Sequence, residues 1–344
     1  MNASSFSRRW ICPAVAVFGA CALLIGCSGG HQTTSTSNAT NSSASNAAIA
    51  QQGPQAGFLW SASEQTLRPI LGVPGSSQFG APMVTPGLYV AGGASVRSGV
   101  ALLEDKAGQI SLMSAATGQP QPLAGVHVSG AAQCVFSPSG LNAVIFVPGQ
   151  GGALLLTGLG ATDANSVQVQ GLNSAAGLQS AAVSDLGQVV GASGTSPATL
   201  SLLTGNAAPV ATLGGFGGIA FLPGGNALLA VDSANNAVEL MPGNGAAPQI
   251  FSSNALRAPF AVAVSHDGST AVVANGGDDS VVRLDLTNAA NQMRIPCTCK
   301  PDRLTPLAGN AVFALTGPGT TTAWAVDAAA TVPHTLFIPA MVKQ

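Results

Sequence analysis

The chain has 344 residues, of which only 7% are charged and 43 are glycine, and its formal net charge is −2. Typical soluble domains carry about 25% charged residues. Low charge with 47% hydrophobic residues excludes a chain that is disordered throughout, since disorder requires high charge and low hydrophobicity. Because the chain is slightly acidic overall, it lacks the basic face that nucleic-acid binding needs, and no nucleic-acid partner is expected.

The first 26 residues have the pattern of a signal peptide. Arg8 and Arg9 precede an apolar run over residues 13–26. That run is shorter than the roughly 20 residues needed to span a bilayer, and a positive segment before a short apolar one is typical of secretory signals. We therefore predict that residues 1–26 are a signal peptide and that the protein is exported.

The apolar run ends in Leu24-Ile25-Gly26-Cys27, which resembles the bacterial lipobox. The resemblance implies that the thiol of Cys27 accepts a diacylglycerol and that the signal is cut in front of it. The chain would then be anchored by lipid to the bacterial cell membrane, or to the outer membrane where the host has one, because Ser28 is not acidic. The alternative is an ordinary secretory signal with a chance cysteine.

Residues 28–47 read as a tether. They contain 13 Ser, Thr or Asn among 20 residues and no charged residue. Such a segment cannot bury enough apolar area to offset the entropy of ordering it. We therefore interpret residues 27–56 as a lipid anchor with a disordered tether, and residues 57–344 as the folded domain.

The folded domain contains a repeat. Short turns such as "SPSG" and "SHDG" recur every 38–47 residues, and each is followed by an apolar run, a second break and another strand-like run. The glycines of these turns are Gly99, Gly140, Gly187, Gly225, Gly268 and Gly309. Four short strands in each repeat of about 42 residues are the signature of a β-propeller blade.

We predict an all-β fold, a β-propeller of about seven four-stranded blades, with six as the alternative. Six modules are complete. Residues 57–72 look like the third and fourth strands of a blade without its first and second. We therefore expect these N-terminal strands to pair near residues 320–340 and so help to close the ring.

The segment "TAVVANGGDDSVVRLDL", residues 270–286, resembles the "YVAN…VSVID" pattern of YVTN-type and lactonase-like propellers, relatives of the NHL and WD40 types. Residues 228–241, "LLAVDSANNAVELM", are a second copy. The resemblance implies a repeat architecture and carries no particular activity.

The polar residues of that segment, His266, Asp267, Asp278 and Asp279, are expected to be turn residues. Asp and Asn favour turns because their side chains bond to the nearby backbone. A cation site is the alternative, but the two turns should lie on opposite faces of the disc. The four histidines are spread along the chain and show no metal-ligand spacing. We predict no catalytic residue, no metal site and no cofactor.

Cys297 and Cys299 form the one unusual motif, "PCTCKP". Two residues apart on an extended strand, their Cα atoms would be roughly 6.5–7 Å apart, at the upper limit of disulfide reach. A bend at Pro296 and Pro301 would allow a bond. We expect either a strained disulfide or two reduced thiols, with Cys134 a buried free thiol.

The function predicted from these patterns is a membrane-tethered binding or scaffold module of the cell envelope. Its ligand is unidentified, and an envelope protein or a glycan bound on a propeller face is the expected partner. A lactonase-like hydrolytic propeller and an outer-membrane assembly lipoprotein are the alternatives. Binding is favoured over catalysis because the chain has few charges to place in a central tunnel.

Overall fold

The computed structural model describes residues 54–160, 164–174, 177–205, 208–316 and 323–339. The predicted signal peptide, Cys27 and nearly all of the tether lie outside the described residues, and those predictions stay predictions. Within the described ranges, helix is limited to the 3₁₀ turn Ala164–Ser166. No helix in this part of the chain is long and apolar enough to cross a membrane.

The described residues form a β-propeller of seven antiparallel sheets, which confirms the predicted fold class. Blade 1 has three strands and blades 2–7 have four each, and in every blade the strands lie side by side in chain order. Blade 1 consists of β1 Gln55–Ser61, β2 Thr66–Val73 and β3 Ser76–Phe79. Blade 2 consists of β4 Tyr89–Ser95, β5 Val100–Asp105, β6 Gln109–Ser114 and β7 Pro120–His127. Blade 3 consists of β8 Gln133–Phe136, β9 Asn142–Phe146, β10 Gly152–Thr157 and β11 Gln168–Asn173. Blade 4 consists of β12 Leu178–Val183, β13 Val189–Ser193, β14 Ala198–Leu202 and β15 Pro209–Leu213. Blade 5 consists of β16 Phe216–Phe221, β17 Leu228–Asp232, β18 Ala237–Met241 and β19 Gln249–Ser252. Blade 6 consists of β20 Pro259–Val264, β21 Thr270–Asn275, β22 Ser280–Asp285 and β23 Gln292–Pro296. Blade 7 consists of β24 Thr305–Pro306, β25 Val312–Ala314, β26 Ala323–Asp327 and β27 His334–Ile338.

The core of the propeller lies between its blades. The described residues form seven apolar clusters, and each one joins two consecutive blades, the last joining blade 7 to blade 1. On β21, Val272 packs toward blade 7 and Val273 packs toward blade 5. Both are fully buried, and burying such a side chain contributes about 1.5–3 kcal/mol. This explains why the middle positions of second strands such as β21 are apolar without alternation: both faces are covered.

The N-terminal strands close the ring in a way that differs from the prediction. We expected residues 57–72 to supply third and fourth strands that pair near residues 320–340. That prediction is wrong, because β1 and β2 are the first and second strands of a separate blade. Blade 1 instead packs face to face on blade 7. Backbone bonds join them where Ala308 N–H donates to Ala56 (2.6 Å) and Phe79 N–H donates to Pro339 (3.2 Å).

The turns between the first and second strands of blades 2–7 share one face of the disc, here called the turn face. It comprises residues 96–99, 137–141, 184–188, 222–227, 265–269 and 307–311. Neighbouring turns are bonded to each other: Asp185 accepts hydrogen bonds from Ser139 N–H (2.7 Å) and Gly224 N–H (2.9 Å), in the turns on either side of its own. Hydrogen bonds therefore join the turns of blades 3, 4 and 5 into part of the rim around the axis.

Candidate ligand channel

A cavity of about 480 Å³ lies on the propeller axis. This volume is within the range of roughly 300–1,000 Å³ that is usual for small-molecule sites. Every blade contributes to its wall, as Phe58, Gly92, Val135, Val183, Ile219, Val262 and Phe313 show, in order from blade 1 to blade 7. We call this cavity the channel.

The wall of the channel is mainly apolar because it is built from the first strands of the blades. Side chains on these strands alternate toward the two neighbouring blades and leave mostly apolar surface toward the axis. Larger apolar groups in the wall include Trp60, Phe136 and Leu304. The channel can therefore accommodate an apolar molecule of small size.

One charged pair lies in the wall. Arg68 on β2 and Glu64 in the preceding turn form a two-point ion pair, in which Arg68 Nε and Nη2 each donate to one carboxylate oxygen. Arg68 Nη1 also donates to the Gly80 carbonyl at 2.9 Å. The charges of this pair are therefore satisfied within blade 1.

Arg97 is the second cation of the wall, in the turn after β4 on the turn face. Its side chain is half-buried and makes no hydrogen bond or ion pair with any group in the described ranges. Burial lowers the pKa of its guanidinium, and the negative charge of Asp185 works in the opposite direction.

Arg303 is the third cation, in the segment that enters β24. Its Nε lies 3.9 Å from Asp302 Oδ1, and 43% of its side chain is exposed. Burial lowers the pKa of Arg303 and Asp302 opposes that effect. First strands run from one face of the disc to the other. Arg303 precedes its first strand and Arg97 follows its own, so the two arginines lie toward opposite ends of the channel.

Cys134 on β8 also lies in the wall. Among the described residues it is the free cysteine, as predicted. The sequence predicted a buried thiol, but Cys134 is partly exposed. On its other sides it is enclosed by protein, and this burial, together with the charge of Glu104, raises the pKa of the thiol to about 12.

Asp267 has the turn role predicted for it, and it also joins two blades. It accepts hydrogen bonds from Ser269 N–H (2.9 Å) and Ser265 Oγ (2.7 Å) within its turn, and from Asn310 Nδ2 (2.8 Å) in the turn of blade 7. Its own N–H donates to Asn310 Oδ1 (3.0 Å). His266 is exposed beside it at the rim of the channel, with its N–H bonded to the Asn310 carbonyl at 2.7 Å.

Asp278 and Asp279 lie in the turn between β21 and β22 and do not meet Asp267. Asp278 accepts from Ser280 Oγ (2.6 Å) and pairs with Arg294 Nη2 (2.8 Å). Asp279 occupies the left-handed turn position with φ of 50°. Within the described ranges, no group of three or more His, Cys, Asp or Glu residues could hold a metal ion.

Cys297 and Cys299 are joined by a disulfide, with their Cα atoms 5.0 Å apart. That separation is shorter than an extended strand would give, so the chain bends in the connection between blades 6 and 7. Cys299 N–H points at Cys297 Sγ (3.2 Å), and Cys299 packs into the apolar cluster between these blades.

Sequence reasoning did not identify Arg68, Arg97 or Arg303 as channel residues. A signal was present for Arg97, because "VRSG" aligns with the other turns of the repeat and places a cation where "SPSG" and "LPGG" have proline. The alignment alone does not reveal that this turn position faces the axis.

Comparison with known proteins shows the fold and no family. No protein-family model matches the chain, and no curated protein does. Among solved structures, selenomethionine-substituted virginiamycin B lyase from Staphylococcus aureus is 13% identical, with a TM-score of 0.53 over 75% of this chain and 85% of that one. A streptogramin B lyase structure is 14% identical, with a TM-score of 0.53 over 80% of this chain and 87% of the other.

The propeller domain of Cps50 (Swd1) from Myceliophteria thermophila has the same TM-score of 0.53 at 11% identity, covering 76% of this chain and 89% of that one. At such identities the likeness is one of fold alone, and these neighbours comprise two lyases and a β-propeller domain. The chain is a seven-bladed β-propeller.

Proposed function

We propose that this protein is a binding module that takes a small, largely apolar molecule into the central channel, and that a lipid on Cys27 tethers it in the bacterial cell envelope. The observation that carries the binding proposal is the cavity of about 480 Å³, which all seven blades enclose with a mainly apolar wall. Cavities of this size and polarity are the usual sites of small-molecule binding.

Binding is favoured over hydrolysis by the state of the polar groups in the wall. A hydrolytic propeller needs acids and bases that converge on the substrate. The described lining residues include one carboxylate, Glu64, which is paired with Arg68. They include one histidine, His266, which lies at the exposed rim. Lyase activity belongs to the structural neighbours named above, and at 13–14% identity it does not transfer to this chain.

A protein partner on the turn face is the second candidate. Leu141 and Leu186 stand on neighbouring turns of blades 3 and 4 and are 48% and 69% exposed. Exposed apolar side chains near each other are typical of interaction sites. Replacing both with aspartate should abolish capture of a specific envelope protein from solubilised membranes, and unchanged capture would exclude this face.

The channel is tested by titrating octanol into the protein in a calorimeter and comparing two matched variants. Val264→Trp enlarges a residue of the channel wall, whereas Val210→Trp enlarges a residue that is 49% exposed on the outer strand β15. We expect Val264→Trp to abolish binding and Val210→Trp to retain it. Binding that persists in a folded Val264→Trp protein, or no binding to the wild type, would overturn the proposal.

The anchor is tested by mass spectrometry of the mature protein from a bacterial host. We expect the chain to begin at Cys27 and to carry a thioether-linked diacylglycerol, and Cys27→Ser to leave an uncleaved or water-soluble product. A mature wild-type chain that begins elsewhere and is released in soluble form would contradict the anchor.

A further inference from the structure

The charges of the channel wall do not balance. Among the described lining residues, three are arginines and one is a glutamate, although the whole chain carries a net charge of −2. Arg68 is neutralised by Glu64, and Arg303 has Asp302 3.9 Å away. Arg97 is the cation of the wall with no ion pair in the described parts of the chain. The channel therefore contains one positive group whose charge no described residue neutralises by contact.

The carboxylate that influences Arg97 is already engaged elsewhere. Asp185 accepts the Ser139 N–H on Oδ1 and the Gly224 N–H on Oδ2, which holds three neighbouring turns together. Moving this carboxylate to Arg97 would break both bonds, and hydrogen bonds to a charged acceptor are stronger than those to a neutral one. Asp185 is therefore fixed as part of the rim and does not pair with Arg97.

The surroundings of Arg97 make its charge costly without a partner. Its side chain is half-buried at the mouth of an apolar channel, and this burial lowers the pKa of the guanidinium. An anion placed beside it would stabilise the charged form. Ser95 and Ser137 also line the channel, but their hydroxyls accept hydrogen bonds from Ser98 N–H and Asn142 N–H within their turns.

We infer that the channel selects a small organic anion with an apolar body, and that Arg97 binds its anionic group while the body occupies the apolar wall. This inference rests on the channel binding proposed above and adds the class of ligand. The guanidinium presents paired N–H donors whose geometry matches a carboxylate or a phosphate. Carboxylates and phosphate monoesters with a short alkyl or aromatic body are the members of this class.

The test compares ligands that share a body and differ in charge. Octanol, octanoate, octyl phosphate and octylammonium are titrated into the full chain and into three variants. Arg97→Gln removes the charge and keeps much of the shape, and Arg97→Lys keeps the charge without the paired donors. Arg257→Gln is the control, because Arg257 is an exposed arginine outside the channel lining.

We expect octanoate or octyl phosphate to bind the wild type more tightly than octanol, and octylammonium to bind least. Arg97→Gln should weaken the binding of the preferred anion about tenfold or more, which corresponds to a lost hydrogen bond to a charged group. The same substitution should leave the affinity for octanol unchanged. Arg97→Lys should restore part of the loss, and Arg257→Gln should have no effect. The stronger of the two anions identifies the headgroup.

The outcomes separate this inference from the proposed function. If octanol and the anions bind equally and Arg97→Gln changes neither, the channel binds apolar molecules without charge selection and the inference is wrong while the proposed function stands. If no probe binds the wild type, the proposed function fails as well. An equal effect of Arg97→Gln and Arg257→Gln on the anions would indicate a general charge effect and would also overturn the inference.

Discussion

Asp267 shows how a single turn residue can stabilise both its own turn and the contact between two blades. Its carboxylate receives bonds from Ser265 and Ser269 in its turn, and from Asn310, which lies 43 residues further along the chain in the next blade. A second bond returns from Asp267 N–H to Asn310 Oδ1. The pair therefore joins blade 6 to blade 7 at the rim of the channel, which Asn310 lines and Asp267 does not.

We expect Asp267→Ala to lower the free energy of unfolding by about 1–3 kcal/mol, because it removes several hydrogen bonds to a charged but solvent-exposed carboxylate, and to leave octanol binding unchanged. Asn310→Ala and the double variant complete a double-mutant cycle in urea denaturation. A coupling near zero would show that the two residues do not act together. Loss of binding with an unchanged unfolding curve would contradict the turn role.

The same residue gives a pH dependence. The hydrogen bond from Ser269 N–H, followed by that from Ser265, holds the pKa of Asp267 well below its usual range in the folded state. A lowered folded-state pKa stabilises the fold above the unfolded value of about 3.9, and this contribution declines as the pH falls below that value. The difference in urea midpoint between wild type and Asp267→Asn should therefore shrink from pH 7 to pH 2.5. A constant difference would contradict this origin of the stability.

For the cysteines, we expect one free thiol in the denatured, unreduced mature protein, that of Cys134. This follows from the disulfide between Cys297 and Cys299 and from the lipid that we propose on Cys27. Thiol counting with a chromogenic disulfide reagent in guanidinium measures it. Three free thiols would show that the Cys297–Cys299 pair is reduced, and a peptide that links Cys134 to either would contradict the blade arrangement.

At the residue scale, sequence reasoning could identify turn positions but not their partners. The roles of Asp267 and Asp279 followed from local turn chemistry, which depends on a few adjacent residues. The partner of Asp267 and the exposure of Arg97 and Cys134 to the channel depend on how neighbouring blades are rotated about the axis. That rotation is not encoded in a local pattern.

At the scale of the strands, close approach of two blades depends on small residues. A Cβ added at Gly218 on β16 would lie 3.0 Å from Ala261 Cα and 3.1 Å from Val262 N on β20. Both neighbours are backbone atoms of the first strand of the next blade, so they cannot move aside as a flexible side chain could. Gly218 therefore sets the spacing of blades 5 and 6 beside the channel.

We expect Gly218→Ala to lower the free energy of unfolding by about 1–3 kcal/mol, as overpacking does. Gly171→Ala on the outer strand β11 is the matched control, because a Cβ there meets nothing within 4 Å. It should be neutral or raise stability by up to about 1 kcal/mol, since alanine restricts the unfolded chain. Equal effects of the two substitutions in thermal or urea unfolding would contradict the close approach.

The strands themselves were predictable, but their order in the first blade was not. Apolar runs between glycine-rich turns identified blades 2–7, because buried strands need apolar residues on both faces. Residues 57–72 gave the same kind of signal, yet nothing in a strand's own sequence states its distance from the axis. Phe58 and Leu67 pack toward blade 2 while Ala56 and Ile70 pack toward blade 7, and only these contacts show that β1 and β2 are the inner strands.

At the scale of the whole molecule, the channel is a consequence of the ring. Seven clusters between consecutive blades hold the first strands at a fixed distance from the axis. These strands direct their side chains toward neighbouring blades, so the space on the axis is left to a ligand. We propose that a small molecule occupies that space.

Alkylation of Cys134 tests this claim most directly, because Cys134 is the free thiol in the channel wall. Burial raises the pKa of this thiol and so slows its reaction with N-ethylmaleimide, which is followed by peptide mass spectrometry. At a ligand concentration ten times the dissociation constant, about one tenth of the channels remain empty. We predict that octanol, or the preferred octyl anion, then slows alkylation of the folded protein about tenfold and has no effect on protein unfolded in urea. An unchanged rate of Cys134 alkylation in folded protein that binds the ligand would place the ligand outside the channel and contradict the claim.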